Sequence, residues 1–401
     1  MRRIVVIGAG QAAAALAARL RSSHFDGQIT LIGEEPDPPY QRPPLSKAYL
    51  LGEMEADRLW LRSPEFWAEN RITLKLGTRV TSVDPVARTV TAGAETLPYD
   101  DLVFATGAVP RQLPAGIGGR LAGVFTLRTL ADIDAIRGEF RPDRRLVVIG
   151  GGYIGLEAAA VGRKLGLEVT VIEMAPRILQ RVASVETSAY FRDLHAERGV
   201  KIVEETAVER LLGDTHVTAV RLQDGRDLPS GFVIAGVGVF PDVALAEAAG
   251  LALENGIRTD AKGRTSAPHI WAAGDCASFP FEGGQIRLES VGNAIDQANL
   301  VAENILGADK DYVPKPWFWS DQYDCKLQIA GLGRGYDRVV TRAGAAGAMS
   351  VWYFAGPQLV AIDAMNDPRA YMIAKRLIEA GKTADAALVA DPETDLKSLM
   401  A

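Results

Sequence analysis

Cysteine is scarce in this chain, which has two among its 401 residues, Cys276 and Cys325. Two isolated cysteines provide no disulfide framework, no C-x-x-C pair and no ligand set for a zinc or iron–sulfur centre. Histidine is scarce too, and no metal-ligand or triad spacing occurs among the four, His24, His195, His216 and His269. We therefore predict no metal site and assign the histidines no role.

Long hydrophobic runs and a strong excess of one charge are also lacking. The run "FVIAGVGVF" is too short to span a membrane. "MRRIVVIGAG" begins like a signal peptide, but it breaks into a glycine loop without a cleavage-site pattern, so we interpret it as a β-strand. The net charge of −6 argues against nucleic acid as a partner. We predict a cytoplasmic protein, monomer or homodimer, with no membrane or nucleic-acid partner.

What the chain does contain is one pattern written twice. "RRIVVIGAGQAAAALAARL" at the N-terminus is echoed by "RRLVVIGGGYIGLEAAAVGRKLG" from Arg144. Each shows a β-branched strand, a glycine turn and an alanine-rich helix. Each then reaches a second strand followed by an acid, in "ITLIGEE" and in "VTVIE". At 401 residues the chain exceeds the usual size of one core, so we expect two or three domains.

The spacing within each copy is typical of dinucleotide binding. The first glycine makes a tight turn, the second lets the backbone approach a pyrophosphate, and a third small residue lets the helix pack on the strand. The pyrophosphate would lie at the helix N-terminus, where the dipole favours negative charge. These positions are Gly8, Gly10 and Ala13 in the first copy and Gly150, Gly152 and Gly155 in the second.

The acids that follow indicate which nucleotides bind. Glu34 and Glu173 lie ~20–25 residues after the glycines, where an acid accepts hydrogen bonds from a ribose diol. Two dinucleotides in one chain suggest FAD plus NAD(P). Glu173 would repel the extra phosphate of NADP, and Met174 and Ala175 follow it in place of arginines. The sequence therefore favours NADH as the second nucleotide.

Three further segments lie between and after the copies. "YDDLVFATGAVPR" is an apolar strand running into a Thr-Gly turn, and "LPSGFVIAGVGVFPD" repeats that form. "APHIWAAGDCA" is a strand ending in Gly-Asp, which suits Asp275 to reach a ribityl hydroxyl or a phosphate-side group. "MSVWYFAGPQLVAIDAM" predicts a hairpin, and "DPRAYMIAKRLIEAG" predicts an amphipathic helix ended by glycine.

In this order, "GAGQAA", "ATGAVPR", "GGGYIGLE" and "AAGDCA" resemble the pyridine-nucleotide-dependent flavoprotein reductases. The resemblance implies an α/β, glutathione-reductase-like fold with two Rossmann-type dinucleotide-binding domains and a small α+β C-terminal domain. It implies a discontinuous FAD-binding domain at 1–112 and 240–315. It also implies an NAD-binding domain at 113–239 and a C-terminal domain at 316–401. We expect the C-terminal domain to cover the FAD domain and form a dimer interface.

"RPPLSK" stands where disulfide reductases of this fold carry a cysteine pair. Together with "ESVGNAIDQA" and "PWFWSDQY" it resembles the oxygenase-coupled NADH-dependent ferredoxin reductases, of the putidaredoxin-reductase and biphenyl-dioxygenase-reductase type. The resemblance implies electron flow from NADH through FAD to a [2Fe–2S] ferredoxin. That ferredoxin would feed a haem monooxygenase or a ring-hydroxylating dioxygenase, after transient electrostatic docking.

The same resemblance implies catalytic roles for Lys47 and Glu157. Lys47 would lie near the flavin and stabilise negative charge on its reduced form; Glu157 would lie near the nicotinamide and pair with Lys47 when no NADH is bound. The alternatives are a solvated lysine and an acid on an exposed helix face.

We expect Pro43 and Pro44 to make an extended entry into a helix that Ser46 and Lys47 begin.

Cofactor contacts are implied at further positions. FAD contacts carried over from the family are Gly8, Gly10, Ala12, Glu34, Lys47, Val80, Arg128, Asp275 and Val291, with Arg42 and Arg111 as weaker candidates and Glu289 in a segment closing over both rings. The other expected cofactor-binding residues are Ala13, Ala105, Thr106, Gly107, Gly150, Gly152, Tyr153, Ile154, Gly155, Glu173, Gly236, Gly274 and Trp319.

Several alternatives stay open at this point. Trp317 and Trp319 would face a docked ferredoxin or pack the domain. Candidate basic docking residues are Lys326, Arg334 and Arg287. Alternative functions are a rubredoxin reductase, a flavin NADH oxidase or diaphorase, and a redox-sensing flavoprotein like the apoptosis-inducing factors.

Overall fold

The computed structural model describes residues 1–400, which divide into two compact units. Unit 1 comprises Met1–Arg42, Glu55–Val109 and Val239–Lys315. Unit 2 comprises Pro43–Met54, Pro110–Gly238 and the chain from Pro316 onward. None of the helices within residues 1–400 is long and apolar enough to cross a lipid bilayer.

The helices are mostly short. In chain order the α-helices are α1 (Gln11–Ser22), α2 (Pro64–Glu69), α3 (Leu130–Arg137), α4 (Tyr153–Lys164), α5 (Val185–Glu197), α6 (Ala244–Ala248), α7 (Val291–Ile305), α8 (Pro368–Glu379) and α9 (Ala386–Ala390). Short 3₁₀ helices span Pro43–Ser46, Ala56–Leu59, Ala115–Ile117, Ala345–Gly347 and Leu396–Met400.

The strands are, in chain order, β1 (Arg3–Ile7), β2 (Gln28–Ile32), β3 (Ile72–Lys75), β4 (Val80–Asp84), β5 (Thr89–Ala92), β6 (Glu95–Pro98), β7 (Asp101–Phe104), β8 (Ala108–Pro110), β9 (Val124–Phe125), β10 (Arg145–Ile149), β11 (Glu168–Ile172), β12 (Lys201–Val203), β13 (Val208–Leu212), β14 (Ala219–Leu222), β15 (Asp227–Pro229), β16 (Phe232–Ala235), β17 (Val239–Pro241), β18 (Ile257–Arg258), β19 (Ile270–Ala272), β20 (Ala277–Phe281), β21 (Gly284–Ile286), β22 (Trp317–Gln322), β23 (Cys325–Gly331), β24 (Arg338–Ala343), β25 (Met349–Ala355) and β26 (Gln358–Met365).

Unit 1 is built on a parallel five-stranded sheet in the order β19-β7-β1-β2-β3. Its central strand β1 is apolar and almost fully buried, as expected of a parallel strand covered on both faces. On one face α1 and α7 pack through small side chains such as Ala13, Ala17 and Ala298, all of which are fully buried. The first residues of the chain therefore form a strand, as the sequence predicts.

Unit 2 contains a second parallel sheet of the same kind, in the order β12-β11-β10-β16-β9. The two sheets share their register: Ile7 lies opposite Ile32 in the first and Ile149 lies opposite Ile172 in the second. The repeat in the sequence is therefore a repeat of the βαβ unit.

The C-terminal part of unit 2 is an antiparallel five-stranded sheet in the order β22-β23-β26-β25-β24, which leaves β22 at an edge. Strands β25 and β26 form the predicted hairpin. Helix α8 is the predicted amphipathic helix, starting at Pro368 and packed on the sheet through Ala370, Ile373 and Leu377. The predicted α+β character of this region is confirmed.

The segment 43–54 differs from its prediction. Instead of an extended entry, Pro43 begins a 3₁₀ helix that ends at Ser46. Lys47 follows in a turn, where its N–H donates to the carbonyl of Pro44 at 3.0 Å. The expectation of an α-helix beginning at Ser46 and Lys47 is therefore wrong. Proline is compatible with the first turn of a helix, because the N–H that it lacks has no partner there.

Candidate active site

In both copies the glycine turn lies where the central strand ends. Gly8 and Gly150 have positive φ values of 116° and 106°. A Cβ at Gly8 would overlap the carbonyl oxygen of Ala105, and one at Gly150 would overlap that of Gly236. Each turn therefore packs directly on the end of a neighbouring strand, which a side chain would prevent.

The helix that follows each turn begins without a side-chain cap. The N-caps are Gly10 for α1 and Gly152 for α4, and neither first turn contains an acid. A Cβ at Gly10 or Gly152 would meet no atom within 4 Å, so the space in front of each helix is open. In contrast, Ser290 caps α7 through its side chain. Open space and uncapped N–H groups fit a dinucleotide pyrophosphate at both helices.

Glu173 is held by the turn that it faces. Its two carboxylate oxygens accept the N–H groups of Gly151 and Ala175, each at 2.8 Å. It follows β11 directly, so a ribose would meet an oriented carboxylate that still has lone pairs to accept hydrogen bonds. This geometry fits the predicted adenosine ribose of NADH.

Glu34 is in a different position from Glu173. By strand register the counterpart of Glu173 is Gly33, where a Cβ would approach the Cβ of Ala9 too closely. Glu34 therefore lies one residue later, with its side chain 67% exposed and paired with Arg79 at 3.0 Å. Arg79 immediately precedes Val80, the first residue of β4.

Most other predicted FAD residues of unit 1 lie at the carboxyl ends of β1, β7 and β19. The backbone is closely packed here, because a Cβ added at Gly274 would lie 3.1 Å from the Cβ of Ala12. Thr106 donates its hydroxyl to the carbonyl of Asp242 at 2.6 Å. The residues that meet here or follow these strands are Gly8, Gly10, Ala12, Ala13, Ala105, Thr106, Gly107, Gly274 and Asp275.

Two arginines of unit 1 lie around Asp275. Arg42 pairs with Glu35 at 2.5 Å. Burial acts to lower the pKa of Arg42, but the negative charges of Glu35 and Asp275 and the hydroxyl of Tyr40 raise it above its usual value. Arg287 donates to the carbonyl of Asp275 at 3.3 Å and pairs with Glu289 at 2.6 Å. Because the Arg287 side chain is only 9% exposed, it is a poor candidate for a docking cation.

The structure brings Lys47 and Glu157 together within unit 2. Lys47 Nζ lies 2.9 Å from Glu157 Oε1, so the predicted ion pair is present. Two hydroxyls not predicted as site residues complete the set: Ser46 Oγ donates to Oε2 of Glu157 and Ser320 Oγ donates to Oε1, both at 2.6 Å. With a side chain only 4% exposed, Glu157 does not lie on an exposed helix face.

The set is chemically consistent, because a buried carboxylate needs donors on both oxygens. Glu157 comes from α4, Ser46 and Lys47 from the 43–54 segment, and Ser320 from β22. The only local signal for Ser46 is its place before Lys47 in "RPPLSK", and for Ser320 its place after Trp319 in "PWFWSDQY".

The remaining predicted residues of unit 2 lie near the second glycine turn or on β22. Tyr153 opens α4, and its hydroxyl is buried without a hydrogen-bond partner. Burial raises the pKa of this hydroxyl well above its usual value. Trp317 and Trp319 are half-buried on β22 and stack with ring centroids 5.4 Å apart. Ile154 is exposed beside Tyr153.

Arg111 and Arg128 also belong to unit 2. The Arg111 N–H donates to the carbonyl of Gly238, and the Arg128 N–H donates to Asp132 at the start of α3. Val291, in unit 1, is the first residue of α7. Within residues 1–400 no cluster of three or more potential metal ligands occurs.

Comparison with known proteins identifies the family. Residues 2–298 match the pyridine nucleotide-disulphide oxidoreductase family, and residues 317–400 match the reductase C-terminal family. The chain is 44% identical to a ferredoxin–NAD(P)(+) reductase of Sphingomonas sp, over 99% of this chain and 97% of the relative. It is 40% identical to putidaredoxin reductase of Pseudomonas putida, over 99% and 96%.

The chain belongs to the pyridine nucleotide-disulphide oxidoreductases, among the ferredoxin reductases. Its fold matches the reductase in a crystal structure of a covalent putidaredoxin reductase–putidaredoxin complex, with a TM-score of 0.95, 40% identity, and coverage of 100% of this chain and 98% of that chain. The predicted fold class is thereby confirmed. FAD and NADH are the cofactors of this ferredoxin reductase, and the two uncapped helix N-termini are suited to hold them.

Proposed function

We propose that this reductase transfers electrons from NADH, through FAD, to a [2Fe–2S] ferredoxin that serves a haem monooxygenase or a ring-hydroxylating dioxygenase. Relatives across the whole chain support this, including the reductase component of an anthranilate 1,2-dioxygenase system of Burkholderia cepacia, which is 41% identical. So does the structural match to a reductase joined to putidaredoxin. The observation that carries the proposal is the Lys47–Glu157 ion pair, because Lys47 lies in the segment where disulfide reductases place their thiols.

Neither cysteine is suited to relay electrons. Cys276 is fully buried, and burial raises the pKa of its thiol. Cys325 is 3% exposed, and burial raises its pKa to about 11. Both therefore stay protonated and unreactive near neutral pH. Bound flavin accepts two electrons from a nicotinamide and gives them up singly, which an iron–sulfur acceptor requires.

We further propose that Lys47 and Glu157 act as a pair. With no NADH bound, Glu157 holds Lys47, whose side chain is 18% exposed. With both cofactors bound, the cation of Lys47 would stabilise negative charge near the flavin, and Glu157 would lie beside the nicotinamide. The two serine hydroxyls keep Glu157 satisfied when Lys47 turns away from it.

The proposal also includes the cofactor residues and domain boundaries given under Sequence analysis. FAD would bind in 1–112 and 240–315 and NAD in 113–239, with 316–401 as the C-terminal domain.

Lys326 and Arg334 are exposed and remain candidates for ferredoxin docking. We place the protein in the cytoplasm, where NADH is available, and cell fractionation would test this.

The partner is tested by cytochrome c reduction with NADH, with and without a panel of [2Fe–2S] ferredoxins that includes putidaredoxin. We expect a ferredoxin to stimulate the reaction strongly over the reductase alone. Stimulation by rubredoxin alone would move the assignment to a rubredoxin reductase. Rapid peroxide release from the reduced enzyme, unaffected by any ferredoxin, would contradict the proposal and indicate an NADH oxidase.

The role of the pair is tested separately, by the rate at which NADH bleaches the flavin absorbance. We expect Lys47→Met to slow it about a hundredfold, as expected when a charge is removed from the reacting centre. The control is Lys164→Met, which breaks a more exposed pair with Glu53 on the same unit. Equal rates for both variants would contradict the role of Lys47.

A further inference from the structure

Glu157 is the end of a longer buried chain of hydrogen bonds in unit 2. Beyond Ser320, the amide nitrogen of Gln322 contacts Ser320 Oγ at 3.2 Å. The Gln322 oxygen lies 2.8 Å from His195 Nε2, and His195 Nδ1 lies 3.2 Å from the hydroxyl of Tyr323. We call Tyr323, His195, Gln322 and Ser320 the donor chain.

The donor chain is almost entirely inside the protein. His195, Gln322 and Ser320 each have no exposed surface. Tyr323 is half-buried at its outer end, where Arg198 lies over its ring at 5.3 Å. Buried polar groups must be satisfied by one another, so the orientation of each member depends on the next.

Glu157 determines the direction in which the hydrogen bonds run. As the ion-pair partner of Lys47 it is a carboxylate, which can only accept. Ser320 must therefore donate to Glu157, and its oxygen must accept from the Gln322 amide.

The Gln322 oxygen is then left to accept, so His195 must carry its proton on Nε2. Nδ1 is left unprotonated and accepts from Tyr323. Burial lowers the pKa of His195 to about 4, which is consistent with a neutral ring having one donor and one acceptor.

The backbone at Tyr323 is a second, independent sign of constraint. Tyr323 occupies the first position of the β22–β23 turn with a positive φ of 57°. This region is unfavourable for a residue with a bulky side chain and persists only where the surroundings enforce it. The strained turn places the Tyr323 ring against His195, with centroids 5.1 Å apart.

We propose that the donor chain positions Glu157 and sets how firmly it holds Lys47. Donation toward the carboxylate spreads part of its negative charge, so Lys47 is held less tightly than by a carboxylate without the chain. Lys47 can then move to its place near the flavin when NADH binds. The inference rests on the proposed role of Lys47 and Glu157, and it adds His195, Gln322, Ser320 and Tyr323 as positioning residues.

The kinetic test measures flavin reduction by NADH in single turnovers. We expect Ser320→Ala to lower the limiting rate constant about tenfold with little change in the NADH dissociation constant, since a hydrogen bond to a charged group is lost. His195→Phe should lower it less, and Tyr323→Phe about twofold, because each acts through more intervening bonds. Because Tyr323 is only half-buried, Tyr323→Phe should fold even if the variants at the buried positions do not, and it keeps the test informative. The matched control, Tyr190→Phe on the same helix as His195, should leave the rate constant unchanged.

A Glu157→Gln background shows whether the effect passes through the carboxylate. In that background Ser320→Ala should have no further effect, because the charge that the chain serves is gone. An unchanged tenfold loss there would overturn the inference. If Glu157→Gln alone is reduced at the wild-type rate, the proposed role of Glu157 fails.

A spectroscopic measurement tests the donor chain without turnover. In holoenzyme with ¹⁵N-labelled histidine, long-range ¹H–¹⁵N correlation, assigned by comparison with His195→Phe, should show a neutral ring protonated on Nε2. A ring protonated on Nδ1, or a doubly protonated ring, at neutral pH would overturn the direction of the chain. This result does not depend on ferredoxin or on the role of Lys47.

Discussion

The two glycine-turn copies have the same strand register but differ in how closely their helices pack. In the first copy the third small position is Ala13, which is fully buried with its Cβ accommodated. In the second it is Gly155, where a Cβ would overlap the carbonyl oxygen of Gly150 and lie 3.1 Å from Val148. Helix α4 therefore lies closer to its turn than α1 does.

The two acids that follow the copies differ in how firmly their carboxylates are held. Glu173 is fixed by two backbone N–H groups, whereas Glu34 lies one residue further along and is largely exposed. One fingerprint thus supports two geometries. The second copy is the tighter and more sharply oriented site, which suits a substrate that must bind and leave in one pose.

The largest expected effect comes from a side chain at the first glycine of each copy. Gly8→Ala and Gly150→Ala would each place a Cβ on a backbone carbonyl at positive φ, at a cost of roughly 3 kcal/mol or more. We expect Gly8→Ala to be purified largely without flavin. Gly150→Ala should keep its flavin and bind NADH about a hundredfold more weakly.

Flavin content and titration with NADH measure these two outcomes. The control is Gly138→Ala, because Gly138 has an ordinary helical φ of −64° and open space around it. Loss of flavin in Gly150→Ala but not in Gly8→Ala would reverse the assignment of the two copies.

The next largest effect is expected from removing the acid that follows each copy, Glu173 or Glu34. Glu173→Ala leaves two N–H groups unpaired and removes the proposed ribose acceptor, so we expect about a tenfold or greater rise in KM for NADH. The preference for NADH over NADPH should fall with it. Glu34→Ala breaks only an exposed pair and should weaken FAD binding a few-fold. Equal losses from both substitutions would contradict the difference between a fixed and an exposed acid.

A smaller effect is expected at the third position. Gly155→Ala forces α4 away from the Gly150 carbonyl and should reduce the free energy of unfolding by about 1–3 kcal/mol. The reciprocal change Ala13→Gly adds no clash and should cost about 1 kcal/mol through helix propensity. Urea unfolding of the two holoenzyme variants compares them. A neutral Gly155→Ala would show that the two helices pack alike.

The smallest expected effect is on how the free energy of unfolding of the intact protein depends on pH. It comes from two buried residues of unit 2. Buried Asp363 accepts hydrogen bonds from Tyr353 and Thr187, and burial raises its pKa to about 6, while the pKa of buried His195 falls to about 4. Between about pH 4 and 6, folded Asp363 keeps a proton that the unfolded chain releases, so its contribution to stability falls as pH rises.

His195 acts in the opposite direction over about the same range. From about pH 4 to 6.5 the unfolded chain binds a proton at His195 that the folded chain does not, so this contribution rises with pH. We expect the two to offset each other largely, and Asp363→Asn to leave a stability that rises more steeply with pH. Unfolding in urea at several pH values checks this, and an Asp363→Asn slope equal to that of the wild type would disprove it.

Several features could be predicted from the sequence because they depend on local chemistry. The glycine turns, their alanine-rich helices and their apolar strands all form as the spacing indicates. The pairing of Lys47 with Glu157 was also predicted, but from family resemblance, since 110 positions separate the two residues along the chain. The extended entry predicted at Pro43 and Pro44 is wrong, because the preference of a residue before proline for extended backbone competes with the suitability of proline for the first turn of a helix, which Pro43 begins here.

Two dinucleotide sites could be recognised in the sequence without the fold, because a turn that tolerates only glycine and a helix of small residues are short-range requirements. The surroundings of Glu157, in contrast, depend on how distant elements pack together. Ser46, Ser320 and the rest of the donor chain reach it from distant segments, and His195 showed no motif of its own. The physical reason is that a buried carboxylate is satisfied by whichever donors the packed elements bring within hydrogen-bond distance, and that choice leaves no periodic trace in the chain.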